Sequence, residues 1–239
     1  MGPAPTDFSP NCSTGNGTPN STGSSDYLLS PHVDGQSLSY SSLNLGVLAS
    51  GDGSNFEAIM VAIERSELHA EVKVVICNRP GAKVLERAAR WSVPTVLLNH
   101  REFESREALD AAIVQTLTDH GVDWVIMAGW MRRVTQYLID AFTGRLLNIH
   151  PSLLPSFPGL HAVQQALDAG VAVAGCTVHQ VELVVDSGPI IMQVAVPVMA
   201  GDTEETLQAR IQIQEHRIFP MAIALAAHGY AKALDGLDA

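Results

Sequence analysis

Cysteine is scarce in this 239-residue chain. Cys12, Cys77 and Cys176 form no CxxC pair, which argues against a disulfide framework and a structural zinc site. Cys77 and Cys176 read instead as small buried hydrophobes of a reducing compartment. Basic residues are also few, 14 against 25 acids, for a formal net charge of −11 at pH 7. A bulk nucleic-acid binder or a protein of anionic membrane surfaces carries the opposite balance, so neither partner is expected. No apolar run reaches the ~18 residues that a membrane span needs. The first 42 residues hold no Lys or Arg, unlike a transit peptide. No apolar h-region precedes the sequons at Asn11, Asn16 and Asn20, so secretion is not expected. The expected address is the cytoplasm.

What residues 1–42 do contain is Ser, Gly, Thr, Pro and Asn, which make up 27 of the 42. Such a composition buries too little apolar surface to offset its ordering entropy, and it predicts a disordered tail. Removing the tail's Asp7, Asp26 and Asp34 leaves 22 acids against 14 bases in residues 43–239. Those 197 residues suffice for a single domain with a large core.

From Leu43 onward, short apolar runs alternate with helical periodicity. Runs at 45–49, 72–76, 94–98, 124–128 and 146–150 read as strands. Helical spacing follows from Phe56, over 82–91, over 103–120 and near 134–141. Five strands separated by helices predict an α/β fold with a doubly wound, mainly parallel sheet. Continuous apolar runs fit strands covered on both faces. Beyond His150 a proline-rich loop (Pro151, Pro155, Pro158, Gly159) precedes a helix over 161–169, two further strands at 175–181 and 190–196, and a long closing helix over about 204–227.

Four places could carry chemistry. Ser50-Gly51-Asp52-Gly53-Ser54-Asn55 lies between the first strand and the first helix. There glycine permits close backbone approach, and the helix start offers free N–H groups to a phosphate. It lacks the GxGxxG and GxxxxGK[ST] spacings, so a single phosphate is expected, not a dinucleotide or ATP. Asn148-Ile149-His150 ends the fifth strand, and the period of two puts Asn148 and His150 on one face. A carboxamide donor beside an imidazole suits a developing oxyanion with proton transfer nearby, and ligands of open α/β sheets bind beyond the carboxyl ends of strands. Asp186 reads locally as a turn residue whose interest depends on its distance from His150. Gln212, Glu215 and His216 share one face of the last helix at i, i+3 and i+4. No HExxH or other metal-ligand spacing is present, and no metal is expected.

Taken together, 50–55, Ala128-Gly129-Trp130-Met131-Arg132, 144–161, 175–179, 185–189 and Gln214-Glu215-His216 closely resemble the glycinamide ribonucleotide formyltransferase family, over about residues 45–230. The resemblance implies a Rossmann-like formyltransferase domain. It further implies transfer of a formyl group from 10-formyltetrahydrofolate, consumed as a cosubstrate, to the amine of 5′-phosphoribosylglycinamide in purine biosynthesis. By the resemblance, Asn148, His150 and Asp186 are catalytic. Gly53, Ser54, Asn55, Phe56, Glu57, Gln212 and Glu215 match positions that hold the ribonucleotide. Arg106, Met131, Arg132, Arg133, Val134, Asn148 and the stretch Glu182, Leu183, Val184, Val185, Asp186 match positions that hold folate. Two positions depart from the family. Asp52 stands where Asn is usual, and Arg133 where an aliphatic residue is common. The partners expected are small molecules only, with the chain a monomer or homodimer.

Related folate enzymes share the Asn/His/Asp core. A tRNA-directed formyltransferase normally adds a basic C-terminal domain, for which no room is expected after the last helix. A formyltetrahydrofolate hydrolase normally adds an N-terminal regulatory domain, which the low-complexity tail does not supply. A non-catalytic nucleotide-binding module would keep the loop at 50–55 without needing the three polar residues together.

Overall fold

The computed structural model describes residues 27–31 and 38–235. Strand β1 is Leu28–Ser30, followed by β2 (Leu43–Ala49), α1 (Ser54–Glu64), β3 (Ala70–Cys77), α2 (Lys83–Arg90) and β4 (Thr95–Leu97). After these come α3 (Arg106–Asp119), β5 (Trp124–Met127), α4 (Gln136–Ala141), β6 (Leu146–His150), α5 (Ala162–Asp168), β7 (Val173–Gln180), β8 (Ile190–Pro197) and α6 (Glu204–Asp235). All eight strands form one sheet in the order β1-β8-β7-β6-β5-β2-β3-β4.

The block β6-β5-β2-β3-β4 is parallel, and β7, β8 and β1 continue it antiparallel. The nine residues between β7 and β8 are too few for a parallel crossover, which takes a dozen or more, so that pair closes as a hairpin. The predicted α/β class and mainly parallel, doubly wound sheet are therefore what the chain adopts.

The run in β2 shows why the strands read as continuously apolar. Leu45, Val47 and Ala49 face a core shared with Phe56 and Ile59 of α1, Val84 of α2 and Phe219 of α6. Leu48 faces the opposite core, with Ile113 and Leu117 of α3 and Leu138 of α4. Each fully buried side chain of this size contributes roughly 1.5–3 kcal/mol, so both faces of the sheet are held by apolar contact. α3 begins three residues later than its periodicity predicts, because the Ser105 hydroxyl accepts from the Ala108 N–H and caps it there.

One expectation needs correction. The reading of 1–42 as a disordered tail does not hold for 27–31 and 38–42. β1 pairs antiparallel with β8, with Leu29 opposite Val194. Tyr27, Leu29, Leu38 and Tyr40 pack against the core, and the Tyr27 ring lies 4.2 Å from the Arg217 guanidinium of α6. The Tyr40 hydroxyl accepts from the His69 N–H at 3.3 Å. A composition averaged over 42 residues hides these few apolar side chains, which suffice for local docking. The remainder of that expectation, at 1–26 and 32–37, lies outside the described residues.

Candidate active site

β6, β5 and β2 are neighbours, and their carboxyl ends lead into three loops at one edge of the sheet: 151–161, 128–135 and 50–53. The chain runs from β2 to β3 on one side and reaches β5 on the other, so β2 and β5 bound the topological switch point where open α/β sheets take ligands.

The loop after β2 is shaped for close approach. Gly53 caps α1 with φ +77°, and a Cβ there would stand 2.6–2.9 Å from Val84. Only glycine fits without displacing α2. The first turn of α1 then meets α6. The Gln212 amide donates to the Ser54 hydroxyl at 3.0 Å, and the Asn55 amide donates to Glu215 Oε2 at 3.0 Å. Glu215 is 5% exposed, and burial raises its carboxyl above the usual range despite the bond from Asn55. Asn55 Oδ1 is buried without a partner among the described residues. Phe56 is fully buried and can offer a ligand only its main chain. Glu57 accepts from Arg87, Arg90 and Trp91 at 3.0–3.1 Å, so it braces α1 against α2. The unusual Asp52 carboxylate turns onto Arg87 at 2.8 Å and faces Lys83 at 3.6 Å. Its charge is met there by cations instead of confronting a ligand at the helix start.

At the end of β6 the structure brings Asn148, His150 and Asp186 together. Asp186 Oδ2 lies 3.3 Å from His150 Nδ1, and the two side chains are 8% and 7% exposed. His150 Nε2 donates to the Phe157 carbonyl at 2.9 Å, and the Gly159 N–H donates to Asp186 at 2.8 Å. The proline-rich loop therefore grips both residues. Burial pushes the Asp186 carboxyl up, but the His179 imidazole, the Gly159 N–H and the His150 imidazole pull it below its ordinary 3.8. Asp186 sits at φ +55°, the left-handed region that costs a non-glycine residue energy and recurs at functional sites.

His179 completes this cluster. It stands opposite Asn148 in the β6–β7 register. Its Nε2 lies 3.2 Å from the Asn148 amide nitrogen and 3.6 Å from Asp186 Oδ1. Its Nδ1 donates to the Gln180 carbonyl at 2.7 Å. Thr177, opposite His150, donates its hydroxyl to the Ser152 carbonyl at 2.7 Å and so ties the proline-rich loop to β7. The residues alone did not single out either side chain as part of the site. The available signal was the polar–apolar–polar alternation Thr177-Val178-His179 on a strand.

The loop after β5 has buried feet and an exposed crest. Trp130 and Val134 are buried, Met131 and Arg133 are exposed, and Arg132 is half-buried with its Nε lacking a partner among the described residues. The Met131 N–H donates to the Ser50 hydroxyl at 2.9 Å, which joins this crest to the loop after β2. Glu182, Leu183, Val184 and Val185 form an exposed stretch leading into Asp186. Arg106 is exposed at the start of α3 and makes no hydrogen bond or ion pair to the other named positions among the described residues. A cavity of about 730 Å³ between α1 and α6 is lined by Ser54, Glu57 and His216 among the named positions. Asn148, His150 and Asp186 do not line it.

An open, mainly parallel sheet with polar side chains gathered beyond the carboxyl ends of its strands is the arrangement of an α/β enzyme. The model of the formyl transferase family matches residues 43–223, and the chain belongs to that family. It is 44% identical over 177 residues to phosphoribosylglycinamide formyltransferase of Bacillus subtilis, across 74% of this chain and 91% of that protein. It is 46% identical over 194 residues to the trifunctional purine biosynthetic protein adenosine-3 of Drosophila pseudoobscura pseudoobscura, covering 80% of this chain but 14% of that protein. The crystal structure of glycinamide ribonucleotide transformylase 1 from Symbiobacterium toebii superposes with a TM-score of 0.77 at 50% identity, covering 79% of this chain and 89% of that one.

Proposed function

We propose that the chain transfers the formyl group of 10-formyltetrahydrofolate to the amine of 5′-phosphoribosylglycinamide, a step of purine biosynthesis. The observation that carries this reading is the buried Asp186 carboxylate set against His150 and His179, with Asn148 beside His179 at the end of β6. Attack of the amine on the formyl carbon forms a C–N bond and turns the carbonyl oxygen into an oxyanion. Collapse breaks the bond to the folate nitrogen, which gains a proton as the amine nitrogen loses one.

The Asn148 amide lies against His179, so its plane is fixed and an N–H donates to the oxyanion. His150 carries a proton on Nε2, since the Phe157 carbonyl can only accept. When its Nδ1 is also protonated, Asp186 accepts from it and the imidazolium adds positive charge beside the oxyanion. A preorganised oxyanion donor is worth ~10²–10³ in rate.

The ribonucleotide phosphate takes the N–H groups of Gly53, Ser54, Asn55 and Phe56 at the start of α1, and Glu57, whose own N–H is bonded to the Gly53 carbonyl, holds that turn in place, while Gln212 and Glu215 approach the sugar from α6. Arg106, the crest Met131, Arg132, Arg133, Val134 and the stretch 182–186 hold the folate. The unpartnered Asn55 Oδ1 and Arg132 Nε are consistent with polar ligands at these two places. Both substrates are small molecules, and the reading places the protein in the cytoplasm.

The test is a formyl-transfer assay on the purified protein with and without the ribonucleotide. Tetrahydrofolate release that requires the ribonucleotide supports transfer. Release at the same rate without it would make the chain a hydrolase.

A further inference from the structure

Asp110 lies on α3, one turn beyond Arg106, and is 2% exposed. Its Oδ2 accepts the N–H of Thr135, which begins α4 and directly follows the crest at 131–134. A buried carboxylate is costly unless it is paired, and α4 has its own means of capping. Thr135 occupies the N-cap, yet its side chain makes no capping bond. The acceptor comes instead from another helix.

That helix also carries Arg106, one turn earlier at i−4. No hydrogen bond joins Arg106 to the crest among the described residues. The Asp110–Thr135 bond is therefore the polar tie between α3, with Arg106, and the far end of the crest, beside the apolar packing of Leu109 and Ile113 with Val134 and Leu138. The Ser50 hydroxyl ties the near end through the Met131 N–H at 2.9 Å. Trp130 and Val134 are buried between these two attachments and the core. The crest is thus held at both ends by bonds to elements outside it.

We infer that Asp110 is a positioning residue for the formyl donor: by accepting the Thr135 N–H it fixes the crest at 131–134 relative to Arg106, so that both grip one ligand. This rests on the reading of those residues as the folate site. A charged acceptor suits the role, because a charge-assisted bond is shorter and stronger than a neutral one.

The test compares Asp110→Ala and Asp110→Asn with wild type by steady-state kinetics and amide hydrogen exchange. For Asp110→Ala the expected result is at least a tenfold rise in the KM for 10-formyltetrahydrofolate, with the ribonucleotide KM and kcat within about threefold of wild type. Asp110→Asn keeps the acceptor and the shape without the charge, folds as wild type, and raises the donor KM by a smaller factor. Exchange at Thr135 quickens in the same order. Quickened exchange with an unchanged donor KM, or equal rises in both KM values, would overturn the inference. Arg132→Ala separates the two claims. If it leaves the donor KM unchanged, the folate reading of the crest fails on its own, whatever Asp110 does.

Discussion

Two buried carboxylates in the site are driven in opposite directions, and the contrast gives residue-level predictions. Asp186 is lowered from 3.8 because its imidazole and N–H partners outweigh its burial. Folding therefore gains stability from it above pH 3.8, and that gain is lost as pH falls through the lower folded value. Asp186→Asn should cut kcat at least tenfold with little change in ribonucleotide affinity. Chemical denaturation should show its stability gap from wild type closing below about pH 4. Glu215 is raised from 4.5 by burial, so the folded state loses stability as pH rises past 4.5. Glu215→Gln should melt higher than wild type at pH 7 while raising the ribonucleotide KM, a trade of stability for binding. A lower melting temperature would show that the charge is compensated by groups other than Asn55. Asn148 and His150 were legible in the sequence because a period of two put them on one face at a strand end. His179 was not, because its place opposite Asn148 comes from cross-strand register, which no local spacing reveals.

Among the elements, the parallel strands β2 to β6 could be read from apolar runs separated by helices, since both faces of β2, β3, β5 and β6 are covered and only the edge strand β4 is exposed. β1 could not. It is three residues long, its Leu28 is 74% exposed, and it exists because β8 offers an open edge to pair with. Around it, the Tyr27–Arg217 stack and the bond from the Ser39 N–H to His228 reach α6, the helix that carries Gln212 and Glu215, and Leu38 and Tyr40 pack on the core. A chain beginning at residue 43 should therefore be less stable than one beginning at residue 27. Half-burial of four apolar side chains corresponds to about 3–6 kcal/mol. In a domain of this size that lowers Tm by roughly 6–24 °C, measurable by calorimetry. Equal melting temperatures would mean that these contacts add nothing to the fold.

Across the whole molecule, the sheet order sets the chemistry, because the loops after β2, β5 and β6 open at one edge. The ribonucleotide and donor halves should then respond separately to substitution. Gly53→Ala, strained at φ +77° and crowded against Val84, should raise the ribonucleotide KM at least tenfold and leave the donor KM within about twofold. Equal effects would point to a general loosening of the fold. The central claim is that the formyl carbon moves from folate to an amine, and a donor labelled with carbon-13 in its formyl group follows that carbon directly. The account predicts that wild-type protein places the label in the formyl group of the ribonucleotide product, with release as formate at background level, and that Asp186→Asn slows this without diverting it. Label recovered as formate, or retained on folate in the presence of saturating ribonucleotide, would contradict it.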